Sequence, residues 1–531
     1  MLAVFLAAAP QGHAAPIAVT GEVVDDSNSR PIPARVYVRD KDGRWYFPAS
    51  SSPRGSALRY EKRNWINTNT VEMHTTISAH PFVVELEPGS YTFTVERGKE
   101  YRPFIRRVEV EGEPLHLKFP LRRWINMAEE GWYGGDVHVH RDPADLPNVM
   151  LAEDLNVALP MVYWTTVDKT PPSGSSKSLK GSYPDRPVKV DASHVYFPVN
   201  TEYEIFETAG KRHTLGALLV LNHNAPFDLP ALPPSRVAAR ARLEGGLLDL
   251  DKHNWDWSMA IVPMVKPDLF ELANNHHWRT DFSITNWAVP APAWMNVGNG
   301  SEDERGWTLY GFQTYYSLLN CGFRIKPSAG TAHGVHPVPL GFGRVYVRVE
   351  GGFNYDSWIR GLAAGRSFVT TGPMLFSRVE GEDPGRTIKI GAGEKRRIVI
   401  EGKAVGEQPV DVIEFVVNGE IARKTRPRLA RTKERAWESP FREVLDVDRS
   451  GWLAVRCWEE REGARIRFAH SAPTWIEVKD QPVQPRRREA EWLAERTREE
   501  LERSRALLPP ETVAEYQQAL EFYKSQAAKA D

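Results

Sequence analysis

Between Trp124 and Glu380 the chain repeats one pattern. Short uninterrupted apolar runs (ALPMVYW, LGALLVLN, MAIVPMV, GRVYVRV) alternate with helical-looking pieces such as LPNVMLAEDLNVA. Apolar runs bounded by turns suit strands buried on both faces, and such strands usually lie parallel under covering helices. This region therefore predicts an α/β layout, with a barrel as one form it can take. Both flanks differ. From Ile17 to about Arg122, IAVTGEVVDD, ARVYVRDKDGRWYF and VVELEPGSYTFTVERG alternate apolar with polar residues around turns such as Pro88-Gly89, which predicts a small β-sandwich. Alternation returns beyond Glu380 in RRIVIEGKAV, DVIEFVVNGE and GWLAVRCWEE, and Asn418-Gly419 marks a hairpin. From Pro485 the charged segments RRREAEWLAERTREELERSRALL and ETVAEYQQALEFYKSQA read as solvated helices broken at Pro509-Pro510.

Composition narrows the function. The 531 residues carry 68 Lys+Arg against 69 Asp+Glu, a net charge of -1, without the basic excess of a nucleic-acid binder. Two cysteines, Cys321 and Cys457, exclude a disulfide scaffold and a cysteine-based zinc ribbon and leave open one long-range pairing. The N-terminal run LAVFLAAAP, followed by the small residues of GHAA, has the character of a signal peptide without its basic start, so export to the periplasm or beyond is expected. It is far shorter than the ~20 apolar residues a bilayer requires. Thr165 to Ala192, rich in Pro, Ser, Gly and Lys, reads as a long loop or a lid.

The chemistry concentrates in Gly134-Gly135-Asp136-Val137-His138-Val139-His140. Side chains alternate faces along a strand, so Asp136, His138 and His140 share one face. Two imidazoles there can bind one divalent ion, and a nearby carboxylate can orient them or bind as well.

This segment resembles the first metal motif of the PHP (polymerase and histidinol phosphatase) superfamily. WYGGDVHVHR followed by MLAEDLNV is more closely similar to the CehA/McbA family of carbaryl-hydrolase-type metallohydrolases. TEYEIF, LGALLVLNH, DLDKHNW, KPDLFELANNHHWRT, SAGTAHGVHPVP and GRSFVTTGP fit that family in order, over about Trp124 to Pro373. The resemblance implies a distorted PHP-like β/α barrel with metals at the carboxyl ends of its strands. The expected layout is a signal peptide over 1–16, a sandwich of the carboxypeptidase-regulatory or transthyretin-like kind over 17–123, the barrel over 124–378, a second sandwich over 379–480 and a helical tail over 481–531.

Carried over residue by residue, the resemblance implies His138, His140, Glu204, His213, His253 and His333 as metal ligands. Glu202 is the close rival of Glu204, because both lie on one strand face. Arg212 and His213 also fit a plain loop. Asp136 and His223 are the expected general base or orienting groups; His223 and His253 also fit as capping histidines. His336 is a second candidate near His333. Two departures stand out: Ala332 replaces the acid of the superfamily's last motif, and VYWTTVD offers Thr165, Thr166 and Asp168 but no histidine. One or two ions of zinc, manganese or iron are therefore expected rather than three. His276 and His277, being adjacent, cannot both face one ion on a regular element. Arg141 and Arg279 are the basic residues a phosphoester substrate would call for. Trp255, Trp257, Trp278, Trp287 and Trp294 read first as core, and otherwise as stacking surfaces for a sugar or an aromatic ligand.

The expected function is a metal-dependent hydrolase of ester, amide, carbamate or phosphoester bonds in a small molecule, a glycan-related one included. The alternatives are a PHP-type phosphoesterase and an exported binding protein for glycan or protein with a degenerate barrel. No GxSxG elbow occurs, and neither cysteine has a histidine in an obvious partner motif.

Overall fold

Alternating burial along Ile17–Asp25, with every second side chain inward over its first half, is what the alternating sequence demands of a strand with one wet face. The computed structural model describes residues 15–65, 67–174, 183–255, 257–284, 287–297 and 303–530. The proposed signal peptide lies outside them up to residue 14, as do residues 175–182 of the Pro- and Ser-rich segment.

The chain divides into two units. One extends to Tyr60 and takes in Met73–Arg97 and Tyr101–Arg123; the other takes Glu61–Glu72, Gly98–Glu100 and everything from Trp124. In the first unit Leu115–Leu121, Ile17–Asp25, Phe82–Leu86 and Ala49–Ser50 form one sheet. Ala34–Asp40, Gly89–Glu96 and Phe104–Val110 belong to another. Val19, Phe82 and Phe119 of the first sheet share a core with Val36, Val38 and Phe93 of the second.

In the second unit Trp132–Val139 is buried at all eight positions. It pairs in parallel with Val157–Pro160 and antiparallel with Arg344–Arg348. Met161 N donates to Val139 O at 2.7 Å, and the chain runs on into Tyr163–Val167, which pairs in parallel with Thr201–Thr208. Pairing then passes through Lys211–Leu221, Leu247–Leu250 and Leu269–Ala273 to Lys326–Ala329. The segment after Ala329 returns to the start: Ala332 N donates to His138 O and His140 N donates to His333 O, each at 2.7 Å. Two sheets, linked by the chain between Pro160 and Tyr163 and by the hydrogen bonds of residues 332 and 333, thus trace a circuit of strands. One member is reversed, since Lys211–Leu221 runs antiparallel to both of its neighbours.

Helices cover this circuit. Tyr355–Ala364 starts where the Asn354 side chain accepts from Ser357 N at 2.9 Å and stops at Gly365, whose φ of 76° suits glycine. The C-terminal strands extend the same sheet. Ser367–Thr370 pairs with Arg344–Arg348 on one side and Arg465–Ser471 on the other, and Gly451–Arg461 and Val412–Val417 follow. Asn418 and Gly419 both have positive φ (49° and 85°) in the two-residue turn between Val412–Val417 and Glu420–Thr425. The core beneath joins Ile398 and Ile400 to Phe415 and Val455. Arg487–Ser504 and Pro510–Lys529 pack onto this unit, with Tyr516 and Tyr523 fully buried and the Tyr523 hydroxyl donating to Met259 O at 2.9 Å. Their exposed face carries charge pairs such as Arg498 with Glu495 and Glu502. Cys321 and Cys457 are buried free thiols.

Candidate metal centre

The glycines before His138 follow from crowding. A Cβ on Gly135 would lie 2.3 Å from Cζ2 of Trp358, so only glycine lets the strand seat against that indole. Beyond it, His138 and His140 project from the strand end toward Glu202 on Thr201–Thr208. Their Nε2 atoms are 3.0 Å apart. The Glu202 carboxylate oxygens lie 3.4 Å from His138 Nε2 and 3.1 Å from His140 Nε2. Donors around a tetrahedral ion with bonds of about 2.0–2.1 Å stand about 3.3 Å apart. All three separations are within a few tenths of an ångström of that edge.

The other nitrogen of His138 faces a second set of carboxylates. Nδ1 is 2.9 Å from Glu271 Oε1 and 4.0 Å from Asp251 Oδ1. His138, Glu202, Asp251 and Glu271 are each no more than 1% exposed. Asp249, also fully buried, accepts from the Ser328 hydroxyl at 2.9 Å. Oδ1 of Asp251, Oε2 of Glu271 and Oδ2 of Asp249 have no hydrogen-bond partner among the described residues. Burial would lower the His138 pKa, but the charges of Glu271 and Glu202 outweigh it and hold the ring well above its ordinary value. Burial pushes Asp249 up, to about 8. A concentration of buried carboxylate is costly without a matching cation. Imidazole and carboxylate donors suit zinc, manganese or iron. These clusters could hold a metal ion in two ways, His138 with His140 and Glu202, or His138 with Asp251 and Glu271. An imidazole that gives one nitrogen to an ion commonly has the other fixed by a carboxylate, which is the place Glu271 takes in the first arrangement.

The cluster lies on the wall of a cavity of about 450 Å³. Lys252 is on the same wall, 4% exposed, with Nζ 2.5 Å from Asp251 Oδ2 and 4.2 Å from the centre of the Trp255 ring. The other residues expected from the sequence are distributed as follows. Glu204 lines the cavity, one alternation along from Glu202, outside both donor sets. The Asp136 carboxylate is engaged by the 331–341 segment, accepting from the Thr331 hydroxyl and from Gly341 N at 2.9 Å. His333 contributes its backbone to His140, and its Nδ1 faces Val338 O at 2.8 Å. His253 packs its ring 4.2 Å from that of Trp307 and reaches Asn274 at 3.3 Å.

His213 and His223 are not brought to the cluster. His213, near the start of Lys211–Leu221, is directed to the tail, where its Nε2 is 2.7 Å from the Ser504 hydroxyl. His223 follows the end of that strand and so emerges beside the beginning of Thr201–Thr208. There Nε2 is 2.9 Å from the Thr201 hydroxyl and Nδ1 is 2.8 Å from Ala225 O. Burial lowers its pKa to about 4 and keeps the ring neutral. Of the adjacent pair, His276 lines the cavity, whereas His277 turns to the Thr308 hydroxyl at 3.1 Å. His336 and Ala332 also line the cavity. Arg141 pairs with Asp145 at 2.7 Å and Arg279 with Glu72 at 3.1 Å. Trp257, Trp278 and Trp287 are core, Trp294 packs on Trp492, and Trp255 lines the cavity.

Sequence reading missed Asp251, Glu271 and Lys252. The first two carried a signal. Asp249 and Asp251 in LDLD alternate as the two histidines do, and Glu271 is the one charge in the wholly buried strand LFELA. No protein-family model matches the chain, and no curated protein matches it.

Gly330 sets the closeness of the returning segment. A Cβ there would lie 2.3 Å from both Glu271 Oε1 and His138 Cβ. Gly330→Ala is therefore expected to lower stability by about 1–3 kcal/mol and to weaken zinc binding measurably. Thermal melts and competition with a chromogenic chelator read the two effects. A variant equal to the parent in both would show that the segment relaxes freely.

Proposed function

We propose that this chain is a metal-dependent hydrolase similar to the CehA/McbA metallohydrolases, with the strand circuit as its PHP-like barrel. The observation that carries the reading is the set of three buried donors, His138 Nε2, His140 Nε2 and Glu202, at tetrahedral-edge spacing on a cavity wall. A divalent cation held there supplies an acidified water and a positive charge beside the scissile group. The remaining work belongs to the protein. Glu271 fixes the His138 ring and leaves its Nε2 directed at His140 and Glu202. Glu204, the cavity carboxylate outside the donor set, is the group placed to take a proton from the attacking water. Lys252 holds a positive charge where negative charge develops on the substrate. His276, whose pKa burial pushes down to about 3, stays neutral and offers a hydrogen bond rather than a charge.

Lys252 also favours a second reading, a phosphoesterase, because it is a cation already on the cavity wall. One panel separates the two: para-nitrophenyl acetate, a para-nitrophenyl carbamate, para-nitrophenyl phosphate and its diester, each tested with zinc, manganese and iron(II). Turnover of at least one is expected to fall by about a hundredfold or more on chelation and to return with the metal. Turnover indifferent to chelation, or none on any substrate with any metal, would sink the hydrolase. The apolar run at the N-terminus belongs to the same proposal as an export signal. Among the described residues no helix is long and apolar enough to cross a membrane.

A further inference from the structure

The cavity beside the cluster has two kinds of lining. Its rim is aromatic. Trp65 is 60% and Phe206 37% exposed, although both line the cavity. Trp255 stands edge-on to Phe206 with ring centres 6.1 Å apart, and Trp65 lies 4.9 Å from the His336 ring. Large rings left in water at a cavity mouth are stabilised by a group that covers them. The deeper lining is polar and incompletely bonded. Asn254 and Asn275 are only 4% and 2% exposed, and Oδ1 of each has no hydrogen-bond partner among the described residues. Nδ1 of His276, on the same wall, has none either. Turning either amide over exchanges its acceptor for a donor at the same place. A hydroxyl, which gives and accepts, satisfies the wall in both settings.

Three chemical classes can be compared against this lining. A flat aryl group satisfies the rim and leaves the buried amides unpaired. A phosphate has no face to cover the rim, suits the buried amides in only one of their two settings, and meets the carboxylates of Glu202 and Glu204 as well as the charge of Lys252. A pyranose ring satisfies both zones, because its C–H face stacks on indoles while its hydroxyls bond the amides. We propose that the substrate is a carbohydrate derivative, recognised by the tryptophans of the rim and by Asn254 and Asn275, with its hydrolysable substituent directed at His138, His140 and Glu202. The last clause rests on the hydrolase reading; recognition of the sugar does not.

The test is binding by the whole chain after chelation, so that it is independent of metal and turnover. The probes are methyl pyranosides of glucose, galactose, mannose, xylose and N-acetylglucosamine, the corresponding disaccharides, benzyl alcohol and inorganic phosphate, followed by saturation-transfer NMR and calorimetric titration. At least one sugar is expected to bind, about tenfold more weakly in Trp255→Ala and in Asn275→Ala. Trp65→Ala, at an exposed position, covers the case in which a buried variant fails to fold. Binding of benzyl alcohol or phosphate with no sugar bound would overturn the proposal. Sugar binding undiminished in all three variants would do the same. Sugar binding by a chain that takes up no metal would sink the hydrolase and leave this proposal standing. Metal-dependent turnover without sugar binding would do the reverse.

Discussion

Protein purified without a histidine tag is expected to contain at least one divalent cation per chain, and the His138→Ala/His140→Ala variant none. Two of the three closely spaced donors disappear together in that variant. Glu202 keeps no imidazole partner in the first set, and Asp251 and Glu271 lose theirs in the second. Glu271→Gln grades the effect, since it keeps all three donors and weakens only the orientation of His138. Loss of such a partner costs about 10–100-fold in affinity. Elemental analysis measures the contents, and chelator competition the affinities. Circular dichroism and thermal melts show that the variants fold; His140→Ala is the milder substitute if the double variant does not. A double variant with the parent's metal content would move the site elsewhere. A parent that takes up neither zinc nor manganese would remove the hydrolase and bring forward the exported binding protein.

Glu304→Ala is expected to destabilise the protein by about 3–5 kcal/mol at neutral pH. Glu304 is 2% exposed in the first turn of Glu304–Asn320, where a carboxylate also suits the helix dipole. It accepts from Arg465 Nε at 2.8 Å and from Ile466 N at 3.0 Å, and Arg467 lies 3.5 Å away. Its removal leaves two largely buried guanidinium groups without their anion. Burial alone would raise the Glu304 pKa, but the Arg465 hydrogen bond and the charges of Arg467 and Arg465 hold it below the ordinary value. The contribution to stability is therefore complete above the unfolded-chain pKa of about 4.3. It declines as pH falls through the lower folded value. Denaturant titrations of parent and variant at pH 7 are expected to differ by the full amount, and the gap to narrow toward pH 3. A constant gap would assign the effect to packing instead of charge.

The legible parts of this molecule are those written locally. Alternation in WYGGDVHV places two histidines on one strand face, and Asn-Gly marks the turn before Glu420–Thr425. Alternation is also why Glu202 and Glu204 could not be separated, because residues two apart on a strand share a face whichever of them reaches the cluster. The remaining site depends on long-range assembly. Asp251 and Glu271 reach His138 from more than a hundred residues away, through pairings that no single segment encodes. The direction of Lys211–Leu221 was equally hidden. LGALLVLN reads the same whether the strand runs with its neighbours or against them, and only the direction decides to which end His223 is delivered. Lys252 was passed over because a lysine in sequence looks like a surface residue, and its burial follows from Asp251 beside it.

The shared sheet has a consequence for how this protein can be divided. Ser367–Thr370 is hydrogen-bonded on both sides, with Phe368 1% exposed and Val369 fully buried. Cutting the chain after it would turn an interior strand into a bare apolar edge open to pairing with any other chain. The strands that carry the histidines and the last strands of the chain share this sheet and are expected to unfold together. The C-terminal strands serve the strands that carry the histidines as a permanent selvedge, and a version shortened between them is expected to lose both.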